Sequence, residues 1–212
     1  MNFTSEASLI LGSREDFPNI YEDMKKQFPT CEMYDFKIFM QLLSDSRYKL
    51  LLYKRNADQA IIGYALVYTV ESSNILWLDY LAVVHGLGSH GYGSALFNEL
   101  WKTYCGPYKG MMFSVEHVSK TDEALALRQK RRLNFYERLG AYRLKAEFLL
   151  PCDNGSVPMY LYYKPRDNVN SVSREEQLQS ILDMYDTCFF YLKHRTELLP
   201  QYEHTIADEH FG

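Results

Sequence analysis

Apolar positions along this chain follow two rhythms. Alternating or continuous apolar runs predict strands over Ser5 to Leu11, Tyr48 to Tyr53, Ile61 to Val70 and Ile75 to Val84; in the third, Tyr64, Leu66, Tyr68 and Val70 share one face. Steps of three and four predict helices carrying Phe17, Ile20, Tyr21 and Met24, then Phe36, Phe39, Met40 and Leu43 within Tyr34 to Leu43, then Leu96, Phe97, Leu100, Trp101 and Tyr104. Ser13-Arg-Glu-Asp16 has the form of a helix cap, and Pro29 closes the first helix. Asn56-Ala-Asp58, Glu71 to Asn74 and Gly106 to Gly110 punctuate the pattern as turns. Met111 to His117 is a further strand with Met112, Ser114 and Glu116 on one side, and Thr121 to Leu139 a helix closed by Gly140. Tyr142 to Leu150 and Val157 to Tyr163 form a hairpin around Pro151 to Gly155. The order β-α-α-β-β-β-α-β-α-β-β predicts an α/β (mixed α+β) fold, a mixed sheet with helices on both faces.

The tail has its own pattern. Ser173-Arg-Glu-Glu176 is a capping box, and Leu178, Ile181, Leu182, Tyr185, Cys188, Phe189 and Leu192 make one apolar stripe on a helix of about five turns. The expected division is therefore a domain over 1–165 and a linker with an amphipathic helix over 166–212. The stripe is expected to dock on its own sheet ahead of a second copy, which leaves monomer and homodimer both open, while Glu203 to His210 is expected to stay exposed.

Composition narrows the class. At 212 residues, 47% hydrophobic and 24% charged, the chain can bury a full core. A net charge of −4 gives no footprint for nucleic acid, the densest basic run being Arg128 to Arg132 within a predicted helix. The four cysteines have no metal-type spacing, and no targeting or membrane-spanning run is expected, which favours a metal-free protein of the cytoplasm without a membrane partner.

Chemistry concentrates where the strand from Ile75 stops at His85. Gly86, Gly88, Gly91 and Gly93 follow within eight residues and lead into the helix beginning at Tyr92. Unpaired amides and the positive end of the helix dipole coincide at such a junction, making an anion site. A Walker A loop would end in Gly-Lys-Ser/Thr, and this one ends Gly-Tyr-Gly-Ser. Gly86-Leu-Gly88-Ser-His-Gly91 matches the Rossmann G-x-G-x-x-G spacing, but that fingerprint belongs to a βαβ unit with an acidic residue about 20 positions on, whereas Glu99 lies mid-helix and other strands come first.

Gly88-Ser89-His90-Gly91-Tyr92-Gly93, preceded by Leu81-Ala82-Val83, resembles the acetyl-CoA loop of the GNAT N-acetyltransferases, whose pattern is Gln/Arg-x-x-Gly-x-Gly/Ala. It departs at the first position, where Gly88 stands for the Gln or Arg that braces the loop. Arg131-Arg-Leu-Asn-Phe-Tyr-Glu-Arg-Leu-Gly140 is similar to the same family's closing helix, with Tyr136 four residues before the capping glycine. The resemblance covers residues 5 to 165. It implies the GNAT fold, a mostly antiparallel sheet of about seven strands, and an enzyme moving an acetyl group from acetyl-CoA to a primary amine of a small molecule or peptide. It further implies that Leu81, Ala82, Val83, Gly88, Ser89, His90, Gly91, Tyr92, Gly93, Ser94 and Asn134 hold the cofactor. Tyr136 would then protonate the departing thiolate, and Glu116 or Asp79 would deprotonate the amine, Asp79 being favoured for substrate recognition. Trp77, Tyr80, Tyr64 and Phe39 could line an amine pocket, since aromatic faces attract cations, and core packing accounts for them equally well. A non-catalytic acyl-CoA-binding module on the same fold is the alternative.

Overall fold

The computed structural model describes residues 6–88 and 91–211. Ser5, placed above at the start of the first strand, lies outside them. Two compact units result, Met1–Thr69 with Leu78–Pro107, and Val70–Trp77 with Tyr108–Gly212.

In the first unit, β1 (Ala7–Leu11) is followed by α1 (Phe17–Gln27) and α2 (Phe36–Leu42), then β2 (Tyr48–Arg55) and β3 (Ile61–Val70). β2 is antiparallel to both β1 and β3, with a bulge at Tyr53/Lys54. β3 is buried along almost its whole length, which is why it reads as an unbroken apolar run. The cap expected at Ser13 to Asp16 is instead a closed turn. The Asp16 carboxylate accepts from the Ser13 amide at 2.8 Å and the Ser13 hydroxyl at 2.9 Å, so it points backwards and caps nothing. Pro18 in the first turn of α1 has no N–H to satisfy. α2 is shorter than expected, beginning after Tyr34, whose ring packs on Phe39 and Tyr80. The unit closes with the later part of β4 (Ile75–Val83) and α3 (Tyr92–Tyr104), which buries Leu96, Phe97 and Leu100.

In the second unit, β5 (Gly110–Glu116) runs parallel to β4 over Ile75–Trp77 against Gly110–Met112. α4 (Glu123–Arg138) starts at Asp122, whose carboxylate accepts the Leu125 amide at 2.9 Å, and Gly140 follows its end. The expected Tyr142 to Leu150 strand is broken into β6 (Tyr142–Arg143) and β7 (Leu149–Cys152), both antiparallel to β8 (Gly155–Pro165), which also pairs β5. Between them, backbone donors turn to side chains of the tail: the Lys145 amide reaches the Glu209 carboxylate at 2.8 Å and the Glu147 amide the Thr205 hydroxyl at 2.9 Å. The sheet order is β1-β2-β3-β4-β5-β8-β6, with β7 also on β8.

The tail comprises β9 (Ser171–Val172), α5 (Arg174–Cys188), α6 (Leu199–Tyr202) and β10 (Glu209–His210). The capping box is present: the Ser173 hydroxyl accepts the Glu176 amide at 3.1 Å, and the Glu176 carboxylate accepts the Ser173 amide at 2.9 Å. α5 ends at Cys188, earlier than the apolar stripe does, so Phe189 and Leu192 are buried from the loop that follows while Leu182 is exposed. The helix packs within its own unit, where the Tyr185 hydroxyl donates to the Leu149 carbonyl and the Ser180 and Ser73 hydroxyls lie 2.8 Å apart. The end of the chain is not left in solvent as a whole. β10 pairs β9, Ile206 is buried, and the Phe211 ring stacks on Tyr142 and Tyr163. Backbone pairing is indifferent to the polar side chains that suggested exposure. Among the described residues, no helix is long and apolar enough to cross a membrane.

Candidate functional site

β4 ends at Val83. Ala82 is buried and Leu81 and Val83 are half-buried; the Val84 amide still donates to the Ile62 carbonyl at 3.1 Å. A turn follows, closed by the Leu87 amide on the Val84 carbonyl at 3.0 Å, with Gly86 at φ 89°, where a side chain would be strained. At Gly88 an added Cβ would meet nothing within 4 Å. Ser89 and His90 lie outside the described residues. Gly91, at φ 80° and ψ −4°, is the N-cap of α3 and has no side chain with which to cap it. Tyr92, Gly93 and Ser94 form the first turn and are half-buried. Among the described residues no side-chain cap bond is made at the N-cap of α3, where the first-turn amides and the positive end of the helix dipole coincide.

Two side chains of α1, to which the sequence reading assigned no role, hold this strand end. Asp23, almost fully buried, accepts the His85 amide at 3.0 Å on Oδ1, and the Tyr64 hydroxyl at 3.0 Å and Gln27 Nε2 at 2.5 Å on Oδ2. Gln27 Nε2 also donates to the Val83 carbonyl at 3.1 Å. Their signal in the sequence was an i, i+4 polar pair set among the inward residues Ile20 and Met24.

Earlier on β4, the Asp79 carboxylate accepts the Tyr48 hydroxyl at 2.5 Å and the Tyr34 hydroxyl at 3.1 Å. Burial raises its pKa to about 7, against the lowering effect of the two hydroxyls. Tyr80 is buried among Phe28, Tyr34 and Phe39, its hydroxyl on the Glu32 carbonyl at 2.6 Å. Tyr64 is buried with Asp23.

The remaining predicted residues belong to the second unit. Trp77 is 2% exposed with its ring 6.0 Å from Phe148. Tyr136 projects from α4 onto Phe113, ring centroids 4.6 Å apart, and is 9% exposed. Burial pushes its phenol up to about 12; Arg132 pulls it down and Glu116 pushes it up. The Glu116 carboxylate accepts from Arg132 at 2.5 Å at the end of β5. Asn134 is exposed on α4. The His117 ring packs on Tyr160, tilted by 31° with centroids 4.1 Å apart, and its pKa is lowered first by burial. Among the described residues, no group of three or more His, Cys, Asp or Glu could hold a metal ion.

No protein-family model matches the sequence, and no curated protein does. Solved structures do match. A Bacteroides thetaiotaomicron protein assigned to the GNAT acetyltransferase family shares 19% identity at a TM-score of 0.67, over 87% of this chain and 99% of that one. A GNAT-family acetyltransferase from Elizabethkingia anophelis with acetyl-CoA bound shares 15% identity at a TM-score of 0.54, over 76% and 99%. The spermidine/spermine N-acetyltransferase of Vibrio cholerae shares 13% identity at a TM-score of 0.53, over 76% and 93%. The fold is therefore the GNAT N-acetyltransferase fold, as the loop and helix motifs implied.

Proposed function

We propose that the protein is an acetyl-CoA-dependent N-acetyltransferase acting on a primary amine of a small molecule or peptide. The observation that carries this reading is the junction of β4, a glycine turn and the Gly91 N-cap of α3 within a GNAT fold. The solved neighbours include one with acetyl-CoA bound and one named for acetylating spermidine and spermine. Gly91, Tyr92, Gly93 and Ser94 would turn their amides to the pyrophosphate, and the Leu81 to Val83 backbone would pair with the pantetheine arm.

In the reaction, the amine nitrogen attacks the thioester carbonyl carbon, the tetrahedral intermediate collapses, and the C–S bond breaks. Tyr136 supplies a proton to the sulfur, and Glu116 or Asp79 receives the proton that nitrogen loses, directly or through water. A phenol near 12 is fully protonated at neutral pH. Against an ordinary thiol near 8.5 its proton moves uphill, and Arg132, which lowers the phenol, works in the favourable direction.

The test is a thermal shift with acetyl-CoA followed by thiol release over an amine panel. Binding to the folded state stabilises by mass action. A shift with release is expected. A shift without release from any amine would favour a non-catalytic acyl-CoA-binding module, and the absence of both would end the assignment.

A further inference from the structure

In the first unit, α1 reaches the two backbone groups on either side of Val84 at which β4 ceases to be a strand. Gln27 takes the Val83 carbonyl and Asp23 the His85 amide, at 3.1 and 3.0 Å, and the two side chains bond each other. The Tyr64 hydroxyl fixes the shared carboxylate oxygen from β3. Two hydrogen bonds to successive peptide groups determine both position and tilt of the strand end, and hence the direction in which the chain leaves toward Gly88. At Gly88 itself there is no side chain to brace anything, although the space for one is open and its φ lies outside the left-handed range.

We infer that Asp23 and Gln27 are positioning residues for cofactor binding, replacing from α1 the brace that a side chain at position 88 would supply from within the loop. The inference rests on the acetyl-CoA reading above. Neither residue reaches the reacting atoms; both act through the backbone of Val83 and His85. A glycine is tolerated at 88 because the strand end is already held from outside.

The experiment is a double-mutant cycle on the full chain, with acetyl-CoA as the probe, using Gln27→Ala, Gly88→Gln and the two combined. Gln27→Ala is expected to raise the Kd for acetyl-CoA about fivefold, the size of one lost hydrogen bond, with the loss appearing in KM for acetyl-CoA and not in kcat. Gly88→Gln is expected to recover at least half of that loss in the Gln27→Ala background and to change the Kd of the parent by a smaller factor. If Gln27→Ala does not fold, Gln27→Met, which keeps the length and removes the donor, is read in its place. Unchanged affinity in the Gln27 variant overturns the inference, and so does an equal effect of Gly88→Gln in both backgrounds, because the two braces would then be independent. A parent protein that binds no acetyl-CoA overturns the functional reading, and this inference with it. A parent that binds while the variant binds equally well overturns the positioning role alone.

Discussion

The Arg132 guanidinium donates to the Glu116 carboxylate at 2.5 Å, tying the last residue of β5 to α4 one turn before Tyr136. Residues 132 and 136 share a helix face, so the ion pair sits beside the phenol and its members act on it in opposite senses. With Tyr136 as the acid, Tyr136→Phe should lower thiol release by about 10²- to 10⁴-fold and leave the acetyl-CoA thermal shift in place. Arg132→Gln should also slow release, because removing the cation makes the phenol a weaker acid. Full activity in Tyr136→Phe would return that side chain to a packing role.

Asp79 gives a prediction about pH. Its folded pKa, near 7, lies above that of an ordinary aspartate, so the folded chain holds a proton that the unfolded chain has released. The stabilisation this provides is complete below about pH 4 and falls as pH rises to about 7, beyond which stability no longer changes on this account. Asp79→Asn, which stays neutral, should abolish this slope, so the variant gains on the parent as pH rises between 4 and 7. Urea titrations of both proteins at several pH values measure it, and parallel curves would remove the buried-charge account. The same variant bears on the base. A limb of the rate profile near pH 7 that persists in Glu116→Gln and vanishes in Asp79→Asn would assign proton abstraction to Asp79.

Strands and helices whose apolar rhythm is strong were readable from the sequence, β3 and α3 above all, because burial alone dictates them. The Gly86 to Gly93 turn was readable because few other residues fit the positive φ found at Gly86 and Gly91. The split of β6 from β7 was not, since its cause is the pairing of the Lys145 and Glu147 amides with Glu209 and Thr205, far along the chain. Asp23 and Gln27 were missed for a related reason. A polar pair on an inward helix face looks the same whether it bonds solvent, side chains or a strand end.

The tail should be part of the stability of its unit. Ile181 is fully buried on α5, and Ile181→Ala should cost about 2 to 5 kcal/mol by denaturant titration. Deleting residues 171–212 would strip Tyr185 from Leu149 and Phe211 from Tyr142 and Tyr163, exposing apolar surface. Lower solubility and a lower melting temperature are expected. A truncated chain that stays soluble, equally stable and of the same size by light scattering would show the tail to be dispensable.

Gly91 and Gly88 should respond differently to substitution, although both belong to the same motif. At Gly91, φ 80° is a conformation in which a β-branched residue is strained by roughly 1 to 2 kcal/mol or more, so Gly91→Val should displace the first turn of α3. Its amides would then no longer meet an anion together, and the acetyl-CoA shift should disappear while most of the fold survives. At Gly88 the space is open, so Gly88→Ala should bind acetyl-CoA nearly as the parent does. Calorimetric titration of both variants separates the two. Equal loss would mean that bulk anywhere in the loop blocks the cofactor, and unchanged binding by Gly91→Val would remove the start of α3 from the phosphate site.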